Sequence, residues 1–361
     1  MGPSEDRLVM TPGPTAIPPA VREAMAREPP NPDLDPAFAE RYRAVREKLQ
    51  TVYDTEDDVV ILGGEGMLGL EAAIASLVEP GDEVLVLANG LFGAGFADFV
   101  EMYGGDPVTY QEPDDTPLSK SAVEEYVADH DVVAATMVHC ETPTGLLNDL
   151  TEVLPLLQDE GILTIVDAVS SLGGTPVPTE HIDVGLGASQ KVFSAPPGLT
   201  TVSVSDAAWE RIEAVAQPSF YASLGPWQDL DLSEPPFFPY THLAANIYAL
   251  EAALDELLEE GLASVFDRHE RVAALTRDLG RDIGLEPYPV AEETYSPTVT
   301  AFEVDTSAGD LQQCVADEED VLLATGLGEH AEDIIRVGHM GFNAQEEKVE
   351  RAMAALGSVL R

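Results

Sequence analysis

Lysine is nearly absent from this chain. Its 361 residues hold four, Lys48, Lys120, Lys191 and Lys348, against fourteen arginines. Cysteine is scarcer still. Cys140 and Cys314 are too few for a disulfide framework, and their spacing suits no metal. No run of about 18 apolar residues is present to span a bilayer. The opening Met-Gly-Pro-Ser-Glu-Asp has no basic stretch followed by an apolar one. The expectation is a cytoplasmic protein without a metal. Positive charge is short overall: 18 basic against 66 acidic residues leave a net charge of −48, which repels nucleic acid and anionic membranes. The acids are dispersed rather than gathered in a tail. Dispersed acid with little lysine fits adaptation to high salt, where screening removes self-repulsion.

What is present is apolar and regular. Hydrophobic residues make up 45% of the chain, enough for real cores. Residues 1–18 read as a stiff arm, with Thr11-Pro12-Gly13-Pro14-Thr15 at its centre. A helix is expected near Pro19–Arg27 and an amphipathic one over 36–53, where Phe38, Tyr42, Val45 and Leu49 recur at helical spacing. From Asp58 strands alternate with helices. The strands are Val59–Leu62, Glu83–Ala88, Pro107–Tyr110, Val132–Val138, Gly161–Asp167, Asp183–Gly187 and Leu199–Val204. The helices are Met67–Val78, Leu91–Tyr103, Ser119–Ala128 and Leu150–Glu160. That order predicts an α/β fold with a mostly parallel sheet covered by helices on both faces. Residues 217–240 carry five prolines and six aromatics and read as a long ordered loop. Thr241 opens a helical region broken at Gly261. The remainder reads as a smaller C-terminal α+β unit, with strands at Val299–Val304, Val321–Leu323 and Ile334–Gly338. The domains expected are therefore the arm, a large domain over 19–258 and a small one over 259–361.

One lysine stands in the wrong company. No other charged residue lies between Asp183 and Asp206 than Lys191, and Pro196-Pro197-Gly198 follows it. A desolvated lysine loses its proton readily and becomes a nucleophile towards carbonyls. A packed stem with a solvated head is the bland reading. Asp167, twenty-four residues upstream, tips the balance, because it ends an apolar strand on a carboxylate. An aldehyde on a lysine, with an acid opposite a pyridine nitrogen, is the pyridoxal phosphate arrangement.

Other strand ends carry loops of the same character: Gly63-Gly64-Glu65-Gly66, Asn89-Gly90-Leu91-Phe92-Gly93 and Glu141-Thr142-Pro143-Thr144-Gly145. Taken singly, the first reads as a tight turn and Phe92 as a core residue. Their convergence on one sheet edge, where open α/β sheets bind ligands, is the stronger signal. Arg336, in the apolar stretch Ile334–Gly338, needs an anion. That anion is a substrate carboxylate or an acid of the chain itself.

These motifs resemble the class V aminotransferases of fold type I, most closely the alanine–glyoxylate and serine–pyruvate branch. The likeness runs from Thr11-Pro-Gly-Pro-Thr15 through Glu71-Ala-Ala73, Asn89-Gly90 and Thr144-Gly145 to Arg336-Val-Gly338. Its most specific marks are Val166-Asp167-Ala-Val169-Ser-Ser171 and Gly187-Ala-Ser-Gln-Lys191, followed by Ala195-Pro-Pro-Gly198. The resemblance implies a pyridoxal phosphate-dependent transaminase that moves an amino group from a small amino acid such as alanine or serine to glyoxylate or pyruvate. A cysteine desulfurase-like lyase, or a transaminase with another donor, is the alternative. By likeness, Lys191 would carry the cofactor, Asp167 would pair with its ring nitrogen and Phe92 would stack on its face. Thr142 and Val169 would line the ring, and Gly66, Met67 and Gln190 would hold the phosphate. Thr241 would reach the phosphate of a neighbouring copy in a homodimer, and Arg336 would take the substrate carboxylate. Two positions depart from the pattern. Glu65 stands where relatives often carry a small hydroxyl residue, and a carboxylate beside a phosphate is repulsive. Phe238 stands where they often carry a tyrosine, with Tyr240 a candidate to compensate.

Overall fold

Alternation within single strands separates two packing faces. In the strand Glu83–Ala88, Val84 and Val86 join one apolar core while Leu85 and Leu87 join another. Ile165 and Val166 divide in the same way. Such strands are buried on both sides, and each face needs its own helices. The helices Gly66–Leu77 and Leu91–Met102 supply Leu70, Ile74, Phe96 and Val100 to the first core. Lys120–Asp129 and Val153–Asp159 supply Val123, Leu154 and Leu157 to the second. The structure is a computed structural model that describes residues 7–228, 230, 232 and 237–360. The arm's residues 1–6, with Pro235 and Pro236 of the proline-rich loop, lie outside the described residues.

The main sheet has seven strands: β1 (Asp58–Gly63), β2 (Glu83–Ala88), β3 (Asp106–Gln111), β4 (Val132–Val138), β5 (Leu163–Asp167), β6 (Val184–Ala188) and β7 (Leu199–Val204). Their spatial order is β1-β7-β6-β5-β4-β2-β3. Only β7 runs against its neighbours. The α/β fold with a mostly parallel sheet is therefore as expected. The order reverses beside β2, whose neighbours are β3 and β4, and such a switch point opens a crevice at the carboxyl ends of the strands.

A third apolar core lies towards the C-terminus. There Val299–Glu303, Ile334–Gly338 and Ala324–Thr325 form an antiparallel sheet with Ile334–Gly338 in the middle. Phe302, Ile335 and Val337 pack against Leu311, Val349 and Met353. The arm joins this core through Leu8 and Met10. Leu8–Val9 pairs in parallel with Val321–Leu322, and the Gly338 N–H donates to Met10 O at 2.7 Å.

Several boundaries differ from the sequence reading. Thr241–Leu243 is not helical, and the helix starts at Ala244; it ends at Gly261, whose φ is +83°. Leu150–Glu152 is irregular, and the helix there is Val153–Asp159. The helix Asp206–Ala214 was not anticipated at all. Among the described residues, no helix is long and apolar enough to cross a membrane.

Surface cations sit in acid-rich pairings, such as Arg211 with Asp82 and Arg268 with Glu260. At a net charge of −48 most acids have no such partner. Screening over roughly 10 Å at 0.1 M salt leaves neighbouring acids repelling one another. Molar potassium chloride is thus expected to raise the melting temperature above its value in dilute buffer. A Tm unchanged by salt counts against high-salt adaptation.

Candidate active site

The carboxyl ends of β1, β2, β4, β5 and β6 surround one cavity of about 320 Å³. Gly66, Met67, Phe92, Thr142, Asp167, Val169, Gln190 and Lys191 all line it. The structure thus brings together eight of the ten residues singled out in the sequence. Arg336 reaches the rim, where its Nη1 donates to Thr142 O at 3.1 Å. Thr241 stands apart: it is exposed and its hydroxyl donates to Asp33 Oδ2 at 2.9 Å.

Asp167 closes β5 and is buried. Its Oδ1 accepts the Val169 N–H at 2.8 Å, which fixes the carboxylate's direction. Burial pushes its carboxyl up to about 6, against the pull of that N–H and of Lys191. Lys191 follows β6 and is half-buried. Its Nζ donates to Pro12 O at 2.9 Å, so the arm covers the lysine. Thr15 anchors the arm there, its N–H on Gln190 O at 3.0 Å and its hydroxyl on Lys191 O at 3.1 Å. Gly13 lies against the lysine stem. A Cβ at that position would stand 2.6 Å from Lys191 Cδ, and its φ of +123° already favours glycine. Loss of water pushes the Lys191 ammonium down to about 8, with the Arg336 charge acting in the same direction and Asp167 opposing.

Arg336 is buried, and its Nε donates to Thr325 O at 2.6 Å. Among the described residues no carboxylate lies within ion-pair distance of it. Of the two anions weighed from the sequence, an acid of the described chain is therefore not in place to pair with it. Burial pushes the guanidinium down to about 10, with no neighbouring charge to offset it.

The sequence reading missed Glu141. It is fully buried, and its carboxylate accepts the N–H groups of Gly93 (2.7 Å) and Phe92 (3.3 Å) at the start of the helix Leu91–Met102. It therefore fixes the backbone that carries Phe92. Gly90 permits this, since a Cβ there would sit 2.5 Å from Glu141 Cδ. Burial pushes the Glu141 carboxyl up to about 7, against those two donors. Nothing in its local sequence sets this acid apart from the other 65. Glu141→Gln keeps one acceptor and turns an amide towards the second N–H. It is expected to lower unfolding free energy by about 1–3 kcal/mol, which denaturant titration measures. An unchanged denaturation midpoint would remove Glu141 from this role.

The two departures also have structural answers. Phe238 belongs to an aromatic cluster, with ring centroids 5.0 Å from Tyr42 and 5.3 Å from Phe38. The Tyr240 hydroxyl instead accepts the Gly63 N–H at 2.8 Å, beside the glycine turn. Glu65 turns back on its own helix, and its Oε1 accepts the Met67 N–H at 3.3 Å.

Comparison with known proteins points to one family. Residues 11–351 match the family Aminotransferase class-V. A pyridoxamine–pyruvate transaminase of Mesorhizobium japonicum is 33% identical, over 98% of this chain and 91% of that protein. The crystal structure of pyridoxamine–pyruvate aminotransferase from Mesorhizobium loti superposes with a TM-score of 0.94 at 32% identity, covering 99% of this chain and 92% of that one. That of alanine–glyoxylate aminotransferase from Nostoc does so at 0.93 and 31%, covering 99% and 96%.

Proposed function

Since the chain belongs to the class V aminotransferases, we propose that it carries an amino group from a small donor to a small 2-oxo acid, glyoxylate or pyruvate, held by Arg336. The observation that carries this reading is the guanidinium itself. It is buried and near Lys191, and no carboxylate of the described chain meets it. A planar fork in that state suits the carboxylate of an incoming acid.

Class V aminotransferases of this fold type I family are transferases that use pyridoxal phosphate. When bound, that group supplies an aldehyde and an electron-withdrawing ring. The cavity fits its ring end. Asp167 lies on the wall to meet a ring nitrogen, and Phe92 and Val169 offer apolar surfaces for the faces. The Gln190 side-chain oxygen is buried without a hydrogen-bond partner. The chain's own groups divide the work. Lys191, neutral above about pH 8, is the nucleophile and the base that moves the proton of the reacting carbon. Asp167 would stabilise a positive charge on the ring nitrogen. Glu141, through the Phe92 backbone, positions the stacking ring. Thr142 shares a hydroxyl hydrogen bond with Ser170 at the cavity wall. A homodimer is part of the reading, with the exposed Thr241 serving a second copy. Exposed Phe220, Tyr221, Phe237 and Leu243 on the same segment support such an interface.

The donor is a small amino acid such as alanine or serine, or a pyridoxamine; alanine and pyridoxamine are named in its relatives. The lyase alternative loses support from both cysteines. Cys140 is buried with its thiol pushed up to about 11 by burial, and Cys314 is exposed on the helix Ala308–Glu318. A panel of these donors against glyoxylate, pyruvate and 2-oxoglutarate is the test. Amino transfer to a small oxo acid is the expected result, and its absence with every acceptor sinks the reading.

A further inference from the structure

The phosphate end of the cavity is where this chain disagrees with the usual group. The helix Gly66–Leu77 starts there, and a helix N-terminus attracts anions. Its Met67 N–H is already taken by the chain's own carboxylate, Glu65. Glu65 lines the same cavity as Phe92, Asp167 and Lys191, and among the described residues no cation pairs with it. A second observation points to an absent ligand at this cavity. Gln190, more than nine-tenths buried in the same wall, has a side-chain oxygen with no partner.

We propose that Glu65 selects a pyridine compound ending in a hydroxymethyl group, pyridoxamine or pyridoxal, over the corresponding phosphate ester. This rests on the transaminase reading above and names the donor class for it. A hydroxymethyl O–H donates to a carboxylate and needs no cation. A phosphate ester brings nearly two negative charges and no donor, so it must drive Glu65 off the Met67 N–H or be repelled. A compound bound without that anchor leaves after each turnover and acts as a substrate. The step balances without another oxidant. The pyridoxamine carbon gives up its amine and two electrons and becomes an aldehyde. The carbonyl carbon of the oxo acid takes both and becomes the amino-acid carbon, and its oxygen is exchanged through water onto the aldehyde.

The test uses the full chain and its Glu65→Ser and Glu65→Gln variants, with dissociation constants for pyridoxal and pyridoxal phosphate measured by absorbance at fixed salt. Serine is itself a good helix cap, so the first variant keeps the helix start. Wild type is expected to bind pyridoxal about tenfold or more tightly than the ester, and both variants to shift that ratio towards the ester by on the order of tenfold or more. With pyridoxamine as sole donor and pyruvate as acceptor, wild type should form pyridoxal and alanine over many turnovers. An ester that binds wild type more tightly overturns the proposal, whatever the variants do. A ratio that neither variant changes overturns it as well. A preference for pyridoxal that both variants abolish, without amino transfer to any oxo acid, upholds Glu65 as the selector and sinks the transaminase reading instead.

Discussion

Lys191→Ala is expected to fold, to lose every borohydride-stable adduct with the cofactor aldehyde, and to lower turnover by about 100- to 10,000-fold. The fold should survive because the lysine's packing partners are the arm and the cavity rather than a core cluster. The chemistry should not survive, because no second lysine is available: Lys48, Lys120 and Lys348 all pair or pack elsewhere. The reaction also has a pH signature. An ammonium has no lone pair for a carbonyl, so capture of the aldehyde needs the neutral amine. Burial and the Arg336 charge bring that amine out near pH 8 instead of 10.5. Capture by wild type should therefore rise with pH through a midpoint near 8. Mass spectrometry after borohydride reduction locates the adduct. A label that persists in Lys191→Ala with full turnover would falsify the assignment.

Arg336→Lys is the second large effect. The guanidinium spends its Nε on Thr325 O and its Nη1 on Thr142 O, and so holds a fixed orientation. A lysine cannot make both contacts and also present a fork. Losing one charge-assisted pair costs about 2–4 kcal/mol, on the order of 30- to 1000-fold in kcat/KM. The loss should fall on substrates that carry a carboxylate, with cofactor absorbance unchanged. Kinetics on an amino acid and its decarboxylated amine make the comparison. Wild type should favour the acid and the variant should discriminate little. Should wild type use both equally, Arg336 serves structure and the substrate class is wrong.

How far the sequence could be read depended on where the information sits. The strands were legible because burial on both faces leaves continuous apolar runs, and Leu199–Val204 and Ile334–Gly338 have the same bounds in both readings. The cavity residues were legible because each follows a strand end, and parallel strands bring such ends to one edge. The helix Asp206–Ala214 was missed because it buries only Ala208, Trp209 and Ile212, too short a stripe for periodicity to register. Glu141 was invisible for a different reason. Its importance lies in contacts with Phe92 and Gly93, forty-nine and forty-eight residues upstream, that no local pattern encodes. The cover over Lys191 is similar: the arm's proline cluster predicted stiffness but not the surface it would meet.

That cover has a consequence for when the site becomes competent. The arm is made before the residues that hold it: Leu8 pairs with Val321, and Met10 O accepts from Gly338. Pairing residue 8 with residue 321 closes a loop of 313 residues, and so distant a contact forms only after the chain between has ordered. A nascent chain on the ribosome that has passed Lys191 but not residue 336 therefore has this amine without the Pro12 carbonyl fixed above it and without Arg336. Capture of an aldehyde in that interval would lack both restraints, one supplied by the arm over Lys191 and the other by the strand Ile334–Gly338.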